Sequence, residues 1–151
     1  MSMKTILVPM ENHDAMQSAL DTALLLGRRC DSYIEGFALR WSINEFIVGD
    51  VMAGAPLETY REDIAEEAKK AKQIFESFMQ KHDVPRAAET TESLSFGWLD
   101  DAAEGEGFIG SYGRVFDVIV MKRRDERSGP IHDRAIESGL FESGRPILLA
   151  P

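Results

Sequence analysis

Residues 118–121 read VIVM, and residues 6–8, near the other end of the chain, read ILV. Both runs are short and apolar without alternation, a pattern typical of strands that helices cover on both faces. Residues 147–149, ILL, repeat the pattern, and helical stretches separate the three runs. Strands that alternate with helices predict βαβ units and therefore an α/β fold with a parallel sheet.

The rest of the chain completes this alternation. Residues 33–39 and 91–96 are two further strand candidates, and the polar residues of the second favour a position at the sheet edge. Four helices are expected, one that Asp14 caps and others over about 58–82, 98–114 and 133–143. The sequence thus predicts one domain over residues 1–151, a three-layer sandwich around a five-stranded, mainly parallel sheet. Ligands of such sheets bind beyond the carboxyl ends of the strands, here the first and the fourth.

Composition argues against several classes of function. The 151 residues carry a formal net charge of -9, and nucleic-acid binding relies on clustered Lys and Arg, so no nucleic-acid partner is expected. No apolar run approaches the roughly 18 residues of a membrane span, so no membrane partner is expected either. The single cysteine, Cys30, cannot form an internal disulfide, and the first residues show no signal-peptide pattern. A cytoplasmic location is therefore expected.

No motif marks a catalytic or metal site. Residues 105–110, GEGFIG, have the glycine spacing of a dinucleotide-binding loop, but they do not directly follow a strand, and Glu104 and Glu106 would repel phosphate. The histidines lack the spacing of metal ligands; they are His13, His82 and His132. We therefore expect a protein that is not an enzyme and has neither catalytic residues nor a bound metal.

Two stretches leave alternatives open. Lys122, Arg123, Arg124 and Arg127 form a basic group in an acidic protein, which is either a solvated loop or a site for a small anion. Residues 41–56 combine apolar side chains with loop-forming Ser, Asn, Gly and Pro. They predict a loop folded onto the core, a lid over the cleft, or part of a subunit contact.

Four segments, taken in order, resemble the universal stress protein family. Residues 5–9 are similar to its opening strand and residues 15–24 to its first helix, while residues 116–121 and 143–149 are similar to its fourth strand and its closing turn and fifth strand. The resemblance implies an adenine-nucleotide-alpha-hydrolase-like sheet, a cytoplasmic location, and pairing with a second copy or with a second domain of a tandem protein. That pairing would use the last strand, around Ile147, Leu148 and Leu149.

Many members of that family bind ATP through a loop after the fourth strand, in which Gly-x-x-Gly is followed nine residues later by Gly-Ser or Gly-Thr. Glycines let backbone N–H groups approach the phosphates closely. In this chain Lys122 and Asp125 hold the two glycine positions, and the later pair is Ala135-Ile136. Glu11 stands where ATP-binding members carry an acidic residue after the first strand. The resemblance therefore implies a degenerate ATP-binding loop.

Two functions follow from these observations. The first is a non-catalytic stress-response or regulatory domain that self-associates and acts through protein partners, without a cofactor. The alternative is an ATP-binding protein or slow hydrolase that uses the cleft beyond the first and fourth strands. The residues expected to line that cleft are Pro9, Met10, Glu11, Leu39, Met121, Lys122, Arg124, Ser128 and Gly129.

Overall fold

The computed structural model describes residues 3–40, 42, 57–88, 93–105, 107–126 and 128–151. Within these ranges the elements are β1 Thr5–Met10, α1 Met16–Cys30, β2 Tyr33–Ala38, α2 Leu57–Lys81, β3 Ser95–Leu99, α3 Gly107–Tyr112 with a 3-10 turn Gly113–Val115, β4 Val118–Lys122, α4 Pro130–Glu142 and β5 Ile147–Ala150. Every strand pair is parallel, in the order β3-β2-β1-β4-β5. The predicted parallel sheet is confirmed, as is the edge position of its third strand.

Two apolar layers enclose the sheet. On one side, α1 and α2 pack against side chains such as Val8 of β1, with Phe75 of α2 fully buried among them. On the other side, α3 and α4 cover Leu7 of β1 and Ile119 of β4. Successive residues of β1 therefore enter opposite layers, which explains why its sequence is apolar throughout. The predicted three-layer sandwich is confirmed.

β1 and β4 diverge toward the carboxyl end of the sheet. Their ladder ends at the pair Leu7 and Ile119. The carbonyl of Thr5 accepts from the N–H of Asp117, just before β4. Alternate residues of a strand direct their backbone N–H and C=O groups to the same neighbouring strand, so the backbone of Pro9, like that of Thr5, faces β4. Proline has no N–H to donate to that strand. The strands thus separate at the topological switch point of the sheet, where doubly wound folds bind ligands.

The prediction of a helix over 98–114 is wrong at its start. Trp98 belongs to β3, where it pairs with Gly36 of β2 and its ring packs 5.4 Å from that of Phe75. The strand expected over 91–96 is accordingly shifted to Ser95–Leu99, and residues 91–92 lie outside the described ranges. Side-chain packing against α2 extends the strand where local preference favours a helix.

Helix ends agree with the sequence in part. Asp14 does not cap α1, which begins at Met16 after a residue that makes no side-chain capping bond. α4 begins at Pro130 and not near residue 133, since proline suits the first turn of a helix. α2 matches its prediction within one residue, and Gly144 has the expected left-handed conformation, with φ 67°.

Residues 41–56 lie outside the described ranges, apart from Ser42. The three alternatives given for this segment therefore stay predictions. Among the helices of the described ranges, none combines the length and the apolar character that crossing a bilayer requires.

Candidate functional site

The imidazole of His132 bridges the carboxyl ends of β1 and β4. The residue is 1% exposed, its Nδ1 lies 3.1 Å from Oε2 of Glu11, and its Nε2 lies 3.0 Å from the backbone oxygen of Lys122. Its position follows from the first turn of α4, in which the His132 N–H donates to the carbonyl of Gly129 at 3.0 Å. A side chain of the protein itself therefore spans the crevice in which this class of sheet receives ligands.

His132 and Glu11 form a hydrogen-bonded pair. A carbonyl oxygen can only accept, so Nε2 donates to Lys122, and an ionised carboxylate can only accept, so Nδ1 donates to Glu11. Burial acts to raise the pKa of Glu11, but the hydrogen bond from His132 and the charges of His132, His13 and Lys122 outweigh it and hold that pKa below its usual value. The Glu11 carboxylate is thus held in its ionised form beside the imidazole.

The loop after β4 is closed by its own side chains. The ammonium of Lys122, 3% exposed, lies 3.0 Å from Oδ1 of Asp125 and donates to Oγ of Ser128 at 2.9 Å. That hydroxyl also accepts from the N–H of Asp125 and donates to its carboxylate, both at 3.0 Å. Two accepted bonds and one donated bond use the full capacity of a hydroxyl. The buried ammonium therefore has its counter-charge within the loop.

The backbone of this loop is also committed internally. The N–H of Ser128 donates to the carbonyl of Asp125 at 3.1 Å, and the N–H of Arg123 donates to the carbonyl of Ala150 in β5 at 3.0 Å. A phosphate cradle needs N–H groups that point at the ligand. Arg124 is exposed, and its Nε lies 3.4 Å from Oδ1 of Asp133. Among the described residues of the loop, the N–H groups of Arg123, Asp125 and Ser128 are therefore already bonded within the protein.

Two cavities lie beside this network. The first, about 320 Å³, is called here the acidic cleft; it is lined by Met10, Glu11, Asn12, His13, Leu39, Tyr60, Asp63, Ile64, Glu67 and Ala71. The second, about 400 Å³, lies against the start of α1 and is lined by Asp14, Ala15, Gln17, Ser18, Lys122, Arg123, Arg124, Asp125 and Pro151. The two cavities share no lining residue. The expected site residues Met10, Glu11 and Leu39 therefore meet at the first cavity, whereas Lys122 and Arg124 lie at the second.

The remaining expected site residues have other surroundings. Pro9 is buried in β1, and Met121 packs in the apolar layer beneath α3 and α4. Ser128 and Gly129 belong to the loop that precedes α4. In the described part of the chain, no group of three or more His, Cys, Asp or Glu side chains is arranged to hold a metal ion.

Sequence reasoning missed several residues of the site, among them His132, Asp63 and Glu67. His132 carried a usable signal, because it lies in the first helical turn after the loop that follows β4. Asp63 and Glu67 of α2 had none, since their charges follow the pattern of a solvated helix face. Glu67 lies at the acidic cleft, where its Oε2 accepts from Nδ2 of Asn12 at 2.8 Å.

Comparison with known proteins identifies the fold. No family model matches the sequence, and no curated protein matches it. Among solved structures, universal stress protein UspA from Lactobacillus plantarum has a TM-score of 0.70 with this chain at 17% identity, covering 100% of this chain and 99% of that chain. The chain has the universal stress protein fold.

Two further structures with the universal stress protein fold extend the comparison. A protein from the universal stress protein family from Burkholderia pseudomallei has a TM-score of 0.63 at 17% identity, covering 99% of this chain and 96% of that chain. A universal stress protein in complex with cAMP has a TM-score of 0.54 at 11% identity, covering 100% and 98%. The resemblance predicted from the sequence is confirmed for the fold, a three-layer sandwich around a five-stranded parallel sheet.

Proposed function

We propose that this chain is a non-catalytic stress-response or regulatory domain of the universal stress protein type, which acts through self-association and protein partners. The observation that carries the proposal is the closed cluster of Lys122, Asp125 and Ser128, in which the buried ammonium is neutralised without a nucleotide. The whole-length similarity to universal stress protein structures supports the class. A lone cysteine suits a reducing, cytoplasmic compartment.

Charge in the first cavity also disfavours a polyphosphate. Glu11, Asp63 and Glu67 all line the acidic cleft, and carboxylates repel a phosphate chain unless a cation intervenes. Both ring nitrogens of His132 are engaged, by the Glu11 carboxylate and by the backbone oxygen of Lys122, so neither is available for general-base chemistry. Both features support a domain without catalytic activity.

Self-association is proposed through β5. This edge strand pairs only with β4 among the described strands, and an unpaired strand edge favours association with another chain. Leu148 and Leu149 are 39% and 44% exposed, and the end of the neighbouring α4 adds the exposed Leu140 and Phe141. A second copy of this chain paired through β5 would cover the strand edge and the two leucines.

The first experiment is calorimetric titration with ATP and magnesium, combined with the mass of the protein in solution. We expect no binding heat and a dimeric mass. The double variant L148K/L149K should be monomeric, because two charges on the edge strand oppose pairing, whereas L57K, at an exposed leucine of α2, should remain a dimer. A monomeric wild-type chain, or ATP binding at micromolar strength, would contradict the proposal.

The alternative is an adenine-nucleotide-binding protein or slow hydrolase. It is supported by the acidic cleft, whose walls include the carboxyl ends of β1 and β2, and by the cAMP complex of one structure with the same fold. In that case ATP or cAMP would bind the wild-type chain, and Glu11→Gln would weaken binding. Nucleotide turnover that E11Q abolishes would favour the hydrolase.

A further inference from the structure

The two flanks of α2 line cavities of opposite charge. Asp63 and Glu67 face the acidic cleft, whereas Lys69 and Lys72 face a separate cavity of about 290 Å³ at the carboxyl ends of β2 and β3. We call the latter the basic cleft; it is lined by Ala38, Arg40, Ala65, Ala68, Lys69, Lys72, Trp98 and Asp100. It shares no residue with the acidic cleft or with the loop after β4.

Arg40 brings an unused donor to this cleft. One terminal nitrogen of its guanidinium donates to the backbone oxygen of Asp100 at 2.7 Å, which anchors the side chain. The Nε atom is buried and has no hydrogen-bond partner among the described residues. Buried N–H groups are rarely left unpaired, because each loses its bonds to water on folding. The Arg40 guanidinium therefore has bonding capacity that the described residues leave unused.

Positive charge exceeds negative charge around the cleft. Lys72 lies 2.7 Å from Oδ1 of Asp100, the single carboxylate of the lining, and is largely neutralised by it. Lys69 is exposed and forms no ion pair with any residue of the described ranges. Among the described residues, neither Arg40 nor Lys69 has a paired carboxylate, in a protein whose net charge is -9.

The other wall of the cleft is apolar. Trp98 of β3 is half-buried, and Ala38 and Ala68 add small apolar side chains. An indole ring offers a flat face to a planar group. A volume of about 290 Å³ lies near the lower end of the range for small-molecule sites.

From these features we propose that the basic cleft binds a small organic anion, with a phosphate or carboxylate group on a flat apolar body. The Arg40 guanidinium and Lys69 Nζ contact the anionic group, and Trp98 packs against the flat part. The site is independent of the loop after β4, so it holds whether or not that loop binds a nucleotide.

The test uses phenyl phosphate, benzoate and inorganic phosphate as probes at constant ionic strength. Calorimetry on the wild-type chain gives the affinities, and Trp98 fluorescence in a W41F variant reports binding beside that ring. We expect phenyl phosphate or benzoate to bind saturably and to change the fluorescence, and inorganic phosphate to bind more weakly than the better of the two. The preferred headgroup distinguishes a phosphate ligand from a carboxylate.

Lys69→Gln should weaken the tighter probe about tenfold, as expected for losing a charged hydrogen bond. Lys70→Gln is the matched control, because it removes the same charge one residue away. Lys70 pairs with Glu67 at 3.6 Å and lines neither cleft. The affinity of K70Q for the tighter probe should stay within about twofold of wild type. Arg40→Gln should abolish binding; if that variant does not fold, K69Q alone decides. No saturable binding, or equal losses in K69Q and K70Q, would overturn the proposal.

Discussion

Replacing His132 by alanine tests whether this ring holds the diverging ends of β1 and β4 together. The change leaves the Glu11 carboxylate and the Lys122 carbonyl without their donor. A hydrogen bond to a charged group is worth about 1.5–3 kcal/mol, and a buried carbonyl left unpaired costs about 1–3 kcal/mol. The Glu11 side chain is 20% exposed, so water replaces part of the first loss. We expect the free energy of unfolding to fall by about 3 kcal/mol.

Urea unfolding at several pH values gives this prediction its specific signature. The pKa of Glu11 is lowered in the folded protein, so its contribution to stability is present above its ordinary pKa and is lost as pH falls through the folded value. In H132A the carboxylate has lost its main partner, and this pH-dependent contribution shrinks. The difference in the free energy of unfolding between wild type and H132A should therefore be largest near neutral pH and should decrease below about pH 4.

His82→Ala is the control, because its ring packs 4.4 Å from that of Phe78 and takes no part in the network. We expect it to cost less than about 1 kcal/mol. A double-mutant cycle with Glu11→Gln should show a coupling energy of about 1–2 kcal/mol between Glu11 and His132. The reasoning is refuted if H132A costs less than about 0.5 kcal/mol, or if its cost is the same at about pH 3 as at about pH 7.

Three further predictions concern other contacts. Replacing Lys122 and Asp125 together by glycine removes the ion pair that closes the loop and should raise ATP affinity in calorimetry; no gain would mean that other groups block the site. Burial and the hydrogen bond to Glu35 raise the pKa of Tyr112, so its contribution to stability is full below about pH 10 and is lost as pH rises through the folded value. Y112F should lower the free energy of unfolding by about 1 kcal/mol at pH 7, and that free energy should fall less steeply with rising pH than in wild type. Parallel dependences of stability on pH in the two proteins would contradict this. Gly110→Ala would place a Cβ 2.5 Å from a side-chain carbon of α4 and should lower the free energy of unfolding in urea by about 2 kcal/mol. Gly107→Ala, at the first residue of α3, is the control; a Cβ there meets nothing within 4 Å, so the cost should be less than half as large.

The strands and the long helix could be predicted because their signals are local. The apolar runs around Leu7 and Ile119 reflect burial on both faces of the sheet, and the stripe that includes Phe75 reflects one buried helix face. Trp98 was assigned to a helix because its fit depends on Phe75, which is distant in the sequence and supplies the packing that local preference cannot show.

The candidate site was predictable only in part, for the same reason. The contact of Lys122 with Asp125 spans three residues, and charge alternation in the loop could have indicated it. The contact of His132 with Glu11 spans 121 positions, and only the order of β1 and β4 in the sheet brings the two together. Nor could the free Nε of Arg40 be read from the sequence, since it depends on which acceptors the fold leaves within reach.

The network between β1 and β4 also affects how far a ligand can stabilise the fold. Pro9 ends the ladder between these strands, and the resulting space must be filled either by a ligand or by the protein. Here His132 fills it, and Asp125 supplies the counter-charge of the buried Lys122. A ligand stabilises a fold by RT ln(1 + [L]/Kd), a quantity set by its free concentration relative to Kd. Since the crevice is already bridged, saturating ATP should leave the unfolding temperature unchanged within about 1 °C, and a rise of several degrees would mean that the nucleotide displaces these contacts.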